Sequence, residues 1–454
     1  MPVDTDVAIL GGGPAGSAAA MFLIREGIKP VIVESKQFPR YHIGESMTGA
    51  QGKVVRDLGL ESEMTRRKYP VKKGTKVLGP TGKTSWFVPV TERDANWELH
   101  PSYTWQVRRS DFDTMLLGEA VSRGAELIRA HATRPLLKKD GTVRGLEIRK
   151  KDGGVEEIHS RILVDASGQA TFLANHHVTG PKYLGNYDKQ IAFFSQVRGT
   201  VRDDGKSPET DPSNTIIFYK EKFHWAWFIP LDDDVVSVGV VSPAAYYLGK
   251  NESTKDFLAR ELRELNPAIQ KYIPEMRFTD EVHVIPNWSF QVRRFTGNGY
   301  LCLGDAHRFI DPIFSFGMTV SMREAQFAAP RISDYLRGNP GKSDNPFAEY
   351  ERFCETGIDI VEDMIDAFWE FPWGFAKLVH YDYKDLMTDV FAARLFEHQP
   401  SPAVNAFRKA LKRTRTYNDD MYSVPLGSRF HPERAAIWEP NSPIQSTEEW
   451  LGPR

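Results

Sequence analysis

The chain of 454 residues has few of the features that would restrict its setting or its partners. Its two cysteines, Cys302 and Cys354, have no metal-ligand spacing, so neither a disulfide framework nor a metal site is predicted. A formal net charge of −2 gives no long-range attraction to nucleic acid or to an anionic membrane. No apolar run approaches the ~20 residues that span a bilayer, and the start lacks the basic segment of a signal peptide. These absences predict a soluble, cytoplasmic protein in a reducing setting, with no nucleic-acid, membrane or metal partner.

A glycine-rich turn near the N-terminus lies between a predicted strand and a predicted helix. The apolar residues 6–10 lead into the string GGGPAG, and a helical pattern follows that stops at Gly27. A second strand, PVIVE, ends at Glu34. A strand, a glycine-rich turn, a helix and a strand that ends in an acid are typical of a dinucleotide-binding unit. Glu34 would accept hydrogen bonds from the adenosine ribose.

The glycines of this turn suit phosphate binding. Gly11 permits a tight turn, Gly13 lets the backbone approach a pyrophosphate, and Gly16 lets the helix lie close to the strand. Free N–H groups at the start of the helix and the helix dipole favour negative charge there. The residues predicted to hold the phosphates are Gly11, Gly13, Pro14, Ala15 and Gly16.

Two tryptophans near the middle of the chain share one face of a predicted strand. The string WAWFIP occupies residues 225–230. Trp225, Trp227 and Ile229 point the same way because strand side chains alternate, and Pro230 ends the strand. Such a pair lines either the wall of a core or a binding cavity, and the residues alone leave both readings open.

A turn in the C-terminal half offers an anion site. The strand YLCL ends at the dipeptide GD, and the string FIDPIFSFG follows at residues 309–317 and opens a long helix. Backbone N–H groups at the start of a helix bind anions readily. The alternative is a helix start that binds only the ring of a cofactor or the edge of that ring nearer the cofactor's phosphates.

Taken together, these strings resemble the signature of the flavin-dependent halogenases, a branch of the FAD monooxygenase superfamily. WxWxIP with FxxPxxSxG is specific to the halogenases, whereas GxGxxG, RxxFD and GD also occur in hydroxylases and reductases. Tryptophan halogenases carry a glutamate directly before the serine of the SxG string, and here that position is Phe314. The chain therefore resembles the phenol-type and pyrrole-type halogenases more than the tryptophan-type enzymes.

The resemblance implies roles for residues in several segments. The implied FAD contacts outside the glycine turn are Arg40, Glu45, Ser46, Arg109, Asp305, Pro312 and Gly317. The backbone amides of Phe316 and Gly317 are implied to hold chloride, bromide or iodide beside the flavin. The implied wall of the passage from flavin to substrate consists of Trp225, Trp227, Ile229 and Pro230.

A pair of lysines precedes Gly74 in the string KKG. Halogenases of this family carry a lysine on a strand here, often as KxG, and the resemblance implies that it is catalytic. Lys72 fits the KxG spacing, and Lys73 stays open as the alternative. On spacing alone, a lysine cluster is also typical of a solvated surface.

The implied reaction is the halogenation of an electron-rich aromatic substrate. Reduced FAD, supplied by a separate NAD(P)H-dependent flavin reductase, gives a flavin hydroperoxide with dioxygen, and halide attacks it to form hypohalous acid. The lysine then passes the halogen to a phenol or pyrrole, free or on a carrier protein. A lowered lysine pKa suits this role because only the neutral amine is nucleophilic and only the ammonium donates. Phe316, where small residues are common, leaves open a preference for bromide or iodide over chloride.

Other functions and groups stay open from the residues. An FAD-dependent aromatic hydroxylase would consume NAD(P)H without a second protein, and a prenyl-chain reductase would need a long apolar groove. A non-enzymatic flavin-binding module would leave the lysine and the tryptophans without a role. His224, His283 and His307 are candidates for a general base, although a single histidine is more often structural.

The predicted fold is of the α/β class. Residues 1–174 and 291–338 are expected to form a Rossmann-like FAD-binding domain of the glutathione-reductase and p-hydroxybenzoate-hydroxylase type. Residues 175–290 are expected to form a β-rich substrate domain. Residues 339–454 are expected to form a helical region that ends in a coil tail.

Overall fold

The computed structural model describes residues 3–180, 182–185, 187, 189–286, 288–292, 294–339, 344–394, 401–414 and 436–438. Its strands are β1 (Val3–Leu10), β2 (Val31–Glu34), β3 (Val71–Lys72), β4 (Gly74–Leu78), β5 (Ser85–Pro89), β6 (Thr91–Arg93), β7 (Leu99–Pro101), β8 (Thr104–Trp105), β9 (Glu126–Leu137), β10 (Val143–Lys150), β11 (Val155–Asp165), β12 (Lys182–Leu184), β13 (Gln190–Arg198), β14 (Thr215–Glu221), β15 (His224–Pro230), β16 (Val236–Pro243), β17 (Arg277–Phe278), β18 (His283–Pro286), β19 (Phe290–Val292), β20 (Thr296–Gly297), β21 (Tyr300–Cys302), β22 (Arg308–Phe309) and β23 (Ala436–Trp438). Its α-helices are α1 (Pro14–Arg25), α2 (Gly49–Asp57), α3 (Glu61–Arg66), α4 (Arg109–Ser122), α5 (Phe172–Asn175), α6 (Ala244–Leu248), α7 (Thr254–Glu264), α8 (Ile269–Tyr272), α9 (Gly317–Leu336), α10 (Ala348–Glu370), α11 (Pro372–Lys377), α12 (Lys384–Phe391) and α13 (Pro402–Thr414).

Five parallel strands form the centre of the nucleotide-binding part, in the order β9–β2–β1–β11–β21. Strand β10 pairs antiparallel with both β9 and β11. Helix α1 packs against α4 and α9. Because β1 and β11 are adjacent, the residues after their carboxyl ends meet, and the N–H of Ala166 donates to the carbonyl of Leu10 at 2.9 Å. The predicted α/β class is confirmed.

A second sheet of eight strands lies beside this domain. Its order is β17–β13–β16–β15–β14–β4–β5, with β18 also paired to β13, and only the β14–β4 pair is parallel. The WAWFIP strand, β15, lies inside this sheet between β14 and β16. Strands β4 and β5 come from the N-terminal half of the chain, so the sheet extends across the boundary predicted at residue 174. The three-part domain division stays a prediction.

The two faces of strand β15 pack against different parts of the molecule. Trp225, Trp227 and Ile229 belong to an apolar cluster that includes side chains of α9 and of the C-terminal helices. Ala226 and Phe228 belong to a second cluster, which includes side chains of α7 and α8. The alternation predicted from the sequence therefore places both tryptophans on one face.

One buried arginine pairs with three carboxylates of the helix α10. Arg308 is 2% exposed and lies 2.9 Å from Glu355, 2.7 Å from Asp359 and 2.5 Å from Glu362. The three carboxylates come from one face of α10, because positions spaced by three or four residues are neighbours on a helix.

Among the described residues, no helix combines the length and the apolar character needed to cross a bilayer. The predicted coil tail lies outside the described residues, apart from β23.

Candidate active site

The start of α1 forms a cradle shaped by glycines. Gly11 has a φ of +107°, and a Cβ there would lie 2.3 Å from the carbonyl oxygen of Ala166. A Cβ on Gly16 would lie 1.9 Å from the carbonyl oxygen of Gly11. A Cβ on Gly13 would meet no atom closer than Nη2 of Arg40, at 3.5 Å. Gly11 and Gly16 thus let the strand and the helix meet, and Gly13 leaves room beside the N–H groups of the helix.

Glu34 ties the end of β2 to this cradle. Its carboxylate accepts the N–H of Gly12 at 2.8 Å and the N–H of Lys36 at 2.7 Å. A carboxylate with two oxygens can accept further hydrogen bonds, such as those from a ribose. Its position agrees with the predicted ribose contact, which stays a prediction.

Two arginines converge on Asp113 beside the cradle. Arg109 donates to both carboxylate oxygens, at 2.7 and 2.9 Å, and Nη2 of Arg40 lies 3.4 Å from the same group. Arg109 also donates to the carbonyl of Ile43 at 2.6 Å, so it fastens the loop of residues 38–46 to α4. Nη1 of Arg40 is buried without a partner among the described residues. An unsatisfied cationic donor next to the glycine cradle fits an anionic phosphate.

Asp305 lies in a short 3₁₀ turn, Gly304–Ala306, after β21. Asp305 is half-buried, and burial of its carboxyl raises its pKa to about 7. Glu324 of α9 supports the turn, because it accepts the N–H of Gly304 and lies 3.0 Å from Nε2 of His307. The turn therefore holds Asp305 at the carboxyl end of β21, where the predicted flavin contact requires it.

The turn before α9 presents free backbone donors. Ser315 has a φ of +63°, and its N–H donates to the carbonyl of Pro312 at 3.0 Å. Phe316 and Gly317 follow at the start of α9, and their N–H groups have no backbone acceptor among the described residues. The first amides of a helix lack partners inside the helix and bind anions. The geometry thus suits the predicted halide site.

Asp311 lies at the base of the same turn. Its Oδ1 accepts the N–H of Ile313 at 2.9 Å, and the side chain of Gln190 lies beside the same carboxyl. Burial raises the pKa of its carboxyl to about 7. A substantial fraction of this side chain is therefore neutral at pH 7.

Lys72 is a buried lysine without an ion pair among the described residues. Its side chain is 3% exposed, and Nζ donates to Oγ of Ser46 at 2.9 Å and to the carbonyl of Met47 at 3.0 Å. Burial lowers its pKa to about 7. The neutral amine and the ammonium are thus both present near neutral pH.

A cavity contains both Lys72 and the turn before α9. Its lining consists of Met47, Thr48, Gly49, Lys72, Thr75, Val77, Trp86, Val88, Pro89, Val90, Ile217, Ile313, Phe314, Ser315, Phe391 and Ala392. Lys72 is the one ionisable side chain of this lining, among the residues described. The remaining wall is mostly aliphatic and aromatic, which suits an apolar ring substrate.

Lys73 points elsewhere. It is half-buried, and Nζ lies 5.1 Å from the centre of the Tyr103 ring. It is not part of the cavity lining. The structure therefore places Lys72 rather than Lys73 at the cavity, although the catalytic role of either stays a prediction.

The two tryptophans pack beside the cavity rather than on its surface. Their ring centres are 5.8 Å apart, and Nε1 of Trp227 donates to Ser237 at 3.2 Å. Neither ring is part of the cavity lining, but Ile217, the cross-strand partner of Trp227, is. Both rings share an apolar cluster with Phe314. Their role as a passage wall stays a prediction, and in the structure both rings are packed as core.

None of the three candidate histidines is part of the cavity lining. His224 pairs with Glu261 at 2.8 Å on the opposite face of the sheet. His283 stacks on Tyr41 with ring centres 4.0 Å apart, and His307 contacts Glu324. Each of these histidines is held by a neighbouring side chain away from the cavity, although the buried Nδ1 of His307 has no hydrogen-bond partner among the described residues.

The sequence analysis missed much of the cavity wall. Trp86 of β5 and Phe391 of α12 have ring centres 5.6 Å apart and both line the cavity, as does Phe314. No motif marks these positions. The available signal was the aromatic content of β5 and of the C-terminal helices, which the sequence cannot distinguish from core.

The chain matches a known cofactor-binding family. Residues 4–354 match the family model described as an FAD binding domain. The cradle, the orphaned Nη1 of Arg40 and the open space at Gly13 fit the phosphates of that cofactor. The chain is therefore an FAD-binding protein.

Its relatives define the class further. The chain is 35% identical over 408 residues to the 1H-pyrrole-2-carbonyl-[peptidyl-carrier protein] brominase of Pseudoalteromonas luteoviolacea, covering 90% of this chain and 96% of that protein. It is 28% identical over 401 residues to the corresponding chlorinase of Pseudomonas fluorescens, covering 83% and 86%. The solved structure of the flavin-dependent brominase Bmp2 has a TM-score of 0.83 at 33% identity, covering 90% and 99%.

The chain belongs to the flavin-dependent halogenases. The predicted enzyme class and its cofactor FAD are confirmed, together with a halide as co-substrate. The roles of individual site residues stay predictions.

Proposed function

We propose that this halogenase transfers an electrophilic halogen through Lys72 to an electron-rich pyrrole or phenol ring. The observation that carries this proposal is a cavity lined both by the buried Lys72 and by Ile313, Phe314 and Ser315 of the turn before α9. The turn offers free amides for a halide, and the lysine offers an amine that can change its protonation state near pH 7.

Each group has a defined task in this scheme. When reduced FAD is bound, it would react with dioxygen and so supply the oxidising power that converts halide to hypohalous acid. The amides of Phe316 and Gly317 hold the halide beside it. Neutral Lys72 can attack the halogen of hypohalous acid, forming an N–halogen bond and releasing water, whereas the ammonium can donate a hydrogen bond to the acid. The aromatic ring then takes the halogen, loses a proton and returns the amine.

The apolar cavity favours an activated substrate. Among the described lining residues there is no carboxylate, and Phe314 occupies the position before Ser315. A ring that reacts with electrophiles on its own, such as a pyrrole or a phenol, does not need a carboxylate to assist it. Relatives that act on pyrrole held by a carrier protein support a carrier-bound substrate here.

In this proposal, a separate NAD(P)H-dependent flavin reductase supplies reduced FAD. The reaction is proposed to take place in the cytoplasm. Both cysteines are buried and free, which is the usual state in a reducing compartment. The choice among chloride, bromide and iodide is left to experiment.

The test is a halogenation assay with the full chain, FAD, a flavin reductase and NADH. Pyrrole-2-carboxylate on a carrier protein is compared with the free acid and with a phenol panel, in chloride, bromide or iodide, and products are identified by mass spectrometry. The expected product is a halogenated pyrrole on the carrier. Omission of the reductase should stop the reaction. Hydroxylated products without halogen would overturn the proposal in favour of an aromatic hydroxylase.

A further inference from the structure

A series of hydrogen bonds leads from Lys72 away from the cavity. Nζ of Lys72 donates to Oγ of Ser46 at 2.9 Å, and Oγ of Ser46 lies 2.7 Å from Oγ1 of Thr215. Nε2 of Gln106 donates to the same Thr215 oxygen at 2.8 Å. Each of the four side chains is at most 3% exposed. Because water is excluded, each polar atom depends on the others for its hydrogen bonds.

The backbone fixes these residues relative to one another. Ser46 and Gln106 form a β-bridge, and Lys72 lies opposite Thr104 in the β3–β8 pair. Thr215 begins β14 and pairs with Thr75 of β4, close to the lysine strand. The series therefore joins the loop after β2, the lysine strand and the large sheet.

The two contacts to Nζ use both hydrogen-bond donors of the neutral amine. A neutral amine has two N–H donors and one lone pair. The oxygen of Ser46 and the carbonyl of Met47 accept the two donors, so the lone pair takes a remaining tetrahedral position. Lys72 also lines the cavity, so that position is the one left for the halogen.

Gln106 anchors the far end of this series of hydrogen bonds. The oxygen of Ser46 accepts from Lys72, and either hydroxyl can be the donor in the bond between Ser46 and Thr215. Thr215 also accepts from Gln106, whose Nε2 makes a second bond to the carbonyl of Ser213 at 3.0 Å. Gln106 thus holds Thr215, and Thr215 holds Ser46.

We propose that Ser46 is a positioning residue for Lys72, held in place by Thr215 and Gln106, rather than a flavin contact as its motif position suggested. This inference rests on the proposed function of Lys72. Ser46 fixes the rotamer of the lysine and directs the lone pair of its amine toward the turn before α9. Substitution of Ser46 should therefore affect transfer of the halogen and leave the cofactor site intact.

The test compares Ser46→Ala with Thr215→Val and the conservative Thr215→Ser. The first readout is the pH dependence of Lys72 acetylation by trace acetic anhydride, followed by peptide mass spectrometry on the FAD-loaded protein. The second is halogenation of the substrates above, and the third is FAD affinity and the rate at which reduced FAD is reoxidised. Ser195→Ala is the matched control, because Ser195 is also a buried serine of the large sheet and donates to the carbonyl of Asp280.

Ser46→Ala should lower the midpoint of Lys72 acetylation, because an acceptor oxygen stabilises the ammonium more than the neutral amine. Halogenation should fall about 10-fold to 100-fold, the equivalent of one hydrogen bond to a charged group. Thr215→Val should produce a smaller change of the same kind, and Thr215→Ser should restore the wild-type behaviour. FAD affinity, reoxidation and the melting temperature should match those of Ser195→Ala.

An unchanged acetylation midpoint in Ser46→Ala, combined with weaker FAD binding or slower reoxidation, would overturn the inference and return Ser46 to the flavin site. Failure of the proposed function has a different signature. In that case the wild-type chain would not halogenate any substrate of the panel, while the acetylation midpoints would still decide whether Ser46 positions Lys72.

Discussion

The proposed phosphate end of the FAD site and the cavity at Lys72 differ in whether backbone or side chains form them. The phosphate end consists mainly of backbone, and Gly11, Gly13 and Gly16 shape it within one turn of the chain. The cavity consists of side chains that lie between residues 47 and 392. A close backbone approach requires glycine, so the first region leaves a compact motif in the sequence. Apolar side chains can be exchanged for others of similar volume, so the second region leaves almost none.

The largest expected effect tests the backbone side of this comparison. Gly16→Ala should abolish FAD binding, because its Cβ would lie 1.9 Å from the carbonyl oxygen of Gly11 and would push α1 away from β1. The FAD content of the purified protein, read from its visible absorbance, measures this. Gly118→Ala in α4 is the control, because a Cβ there meets no atom within 4 Å. Retention of FAD by Gly16→Ala would mean that the cradle does not depend on this close contact.

The next effect tests the side-chain region. Lys72→Ala should lower halogenation by at least about 100-fold, the contribution typical of a positioned acid or base. The rate of reduced FAD reoxidation should stay near the wild-type value, because Lys72 contacts Ser46 and Met47 rather than the glycine cradle. Lys73→Ala is the matched control and should halogenate normally, since Lys73 faces Tyr103 outside the cavity lining. The opposite pattern for the two lysines would reverse the assignment.

The same contrast explains what could be predicted from the sequence. The nucleotide unit, the class of fold and the WAWFIP strand inside the sheet follow from local spacing. The resemblance to the halogenases singled out Lys72, whose catalytic role stays a prediction. The cavity did not, because Trp86, Phe391 and Phe314 meet only after β5, α12 and the turn before α9 have folded together. The hydrogen bonds of Ser46 to Lys72 and Thr215 show the same limit, because no motif links these three positions; its flavin contact stays a prediction.

A smaller effect concerns the protonation of Lys72. Its pKa is lowered to about 7 by burial, and no ionised partner among the described residues offsets this. Acetylation of Lys72 should therefore rise through a midpoint near pH 7, whereas exposed lysines should rise near their ordinary value of about 10.4. Competitive labelling with trace acetic anhydride measures the acetylation midpoints of Lys72 and of the exposed lysines in one sample. A midpoint above about 9 would mean that water or an anion reaches Nζ and that the cavity is wetter than its lining implies.

The smallest effect concerns the stability of the turn that carries the proposed halide site. Burial raises the pKa of Asp311 to about 7 in the folded protein, above its ordinary value of about 3.9. The stability that this raised pKa contributes is fully present below pH 4 and is lost as the pH rises through 7. Asp311→Asn keeps an acceptor for the N–H of Ile313 and removes the buried charge. It should therefore melt like the wild type at pH 4 but be more stable at pH 8, by about 1–3 kcal/mol. Equal melting temperatures at pH 8 would show that Asp311 finds a partner for its charge, and that this turn is less dry than the Lys72 side of the cavity.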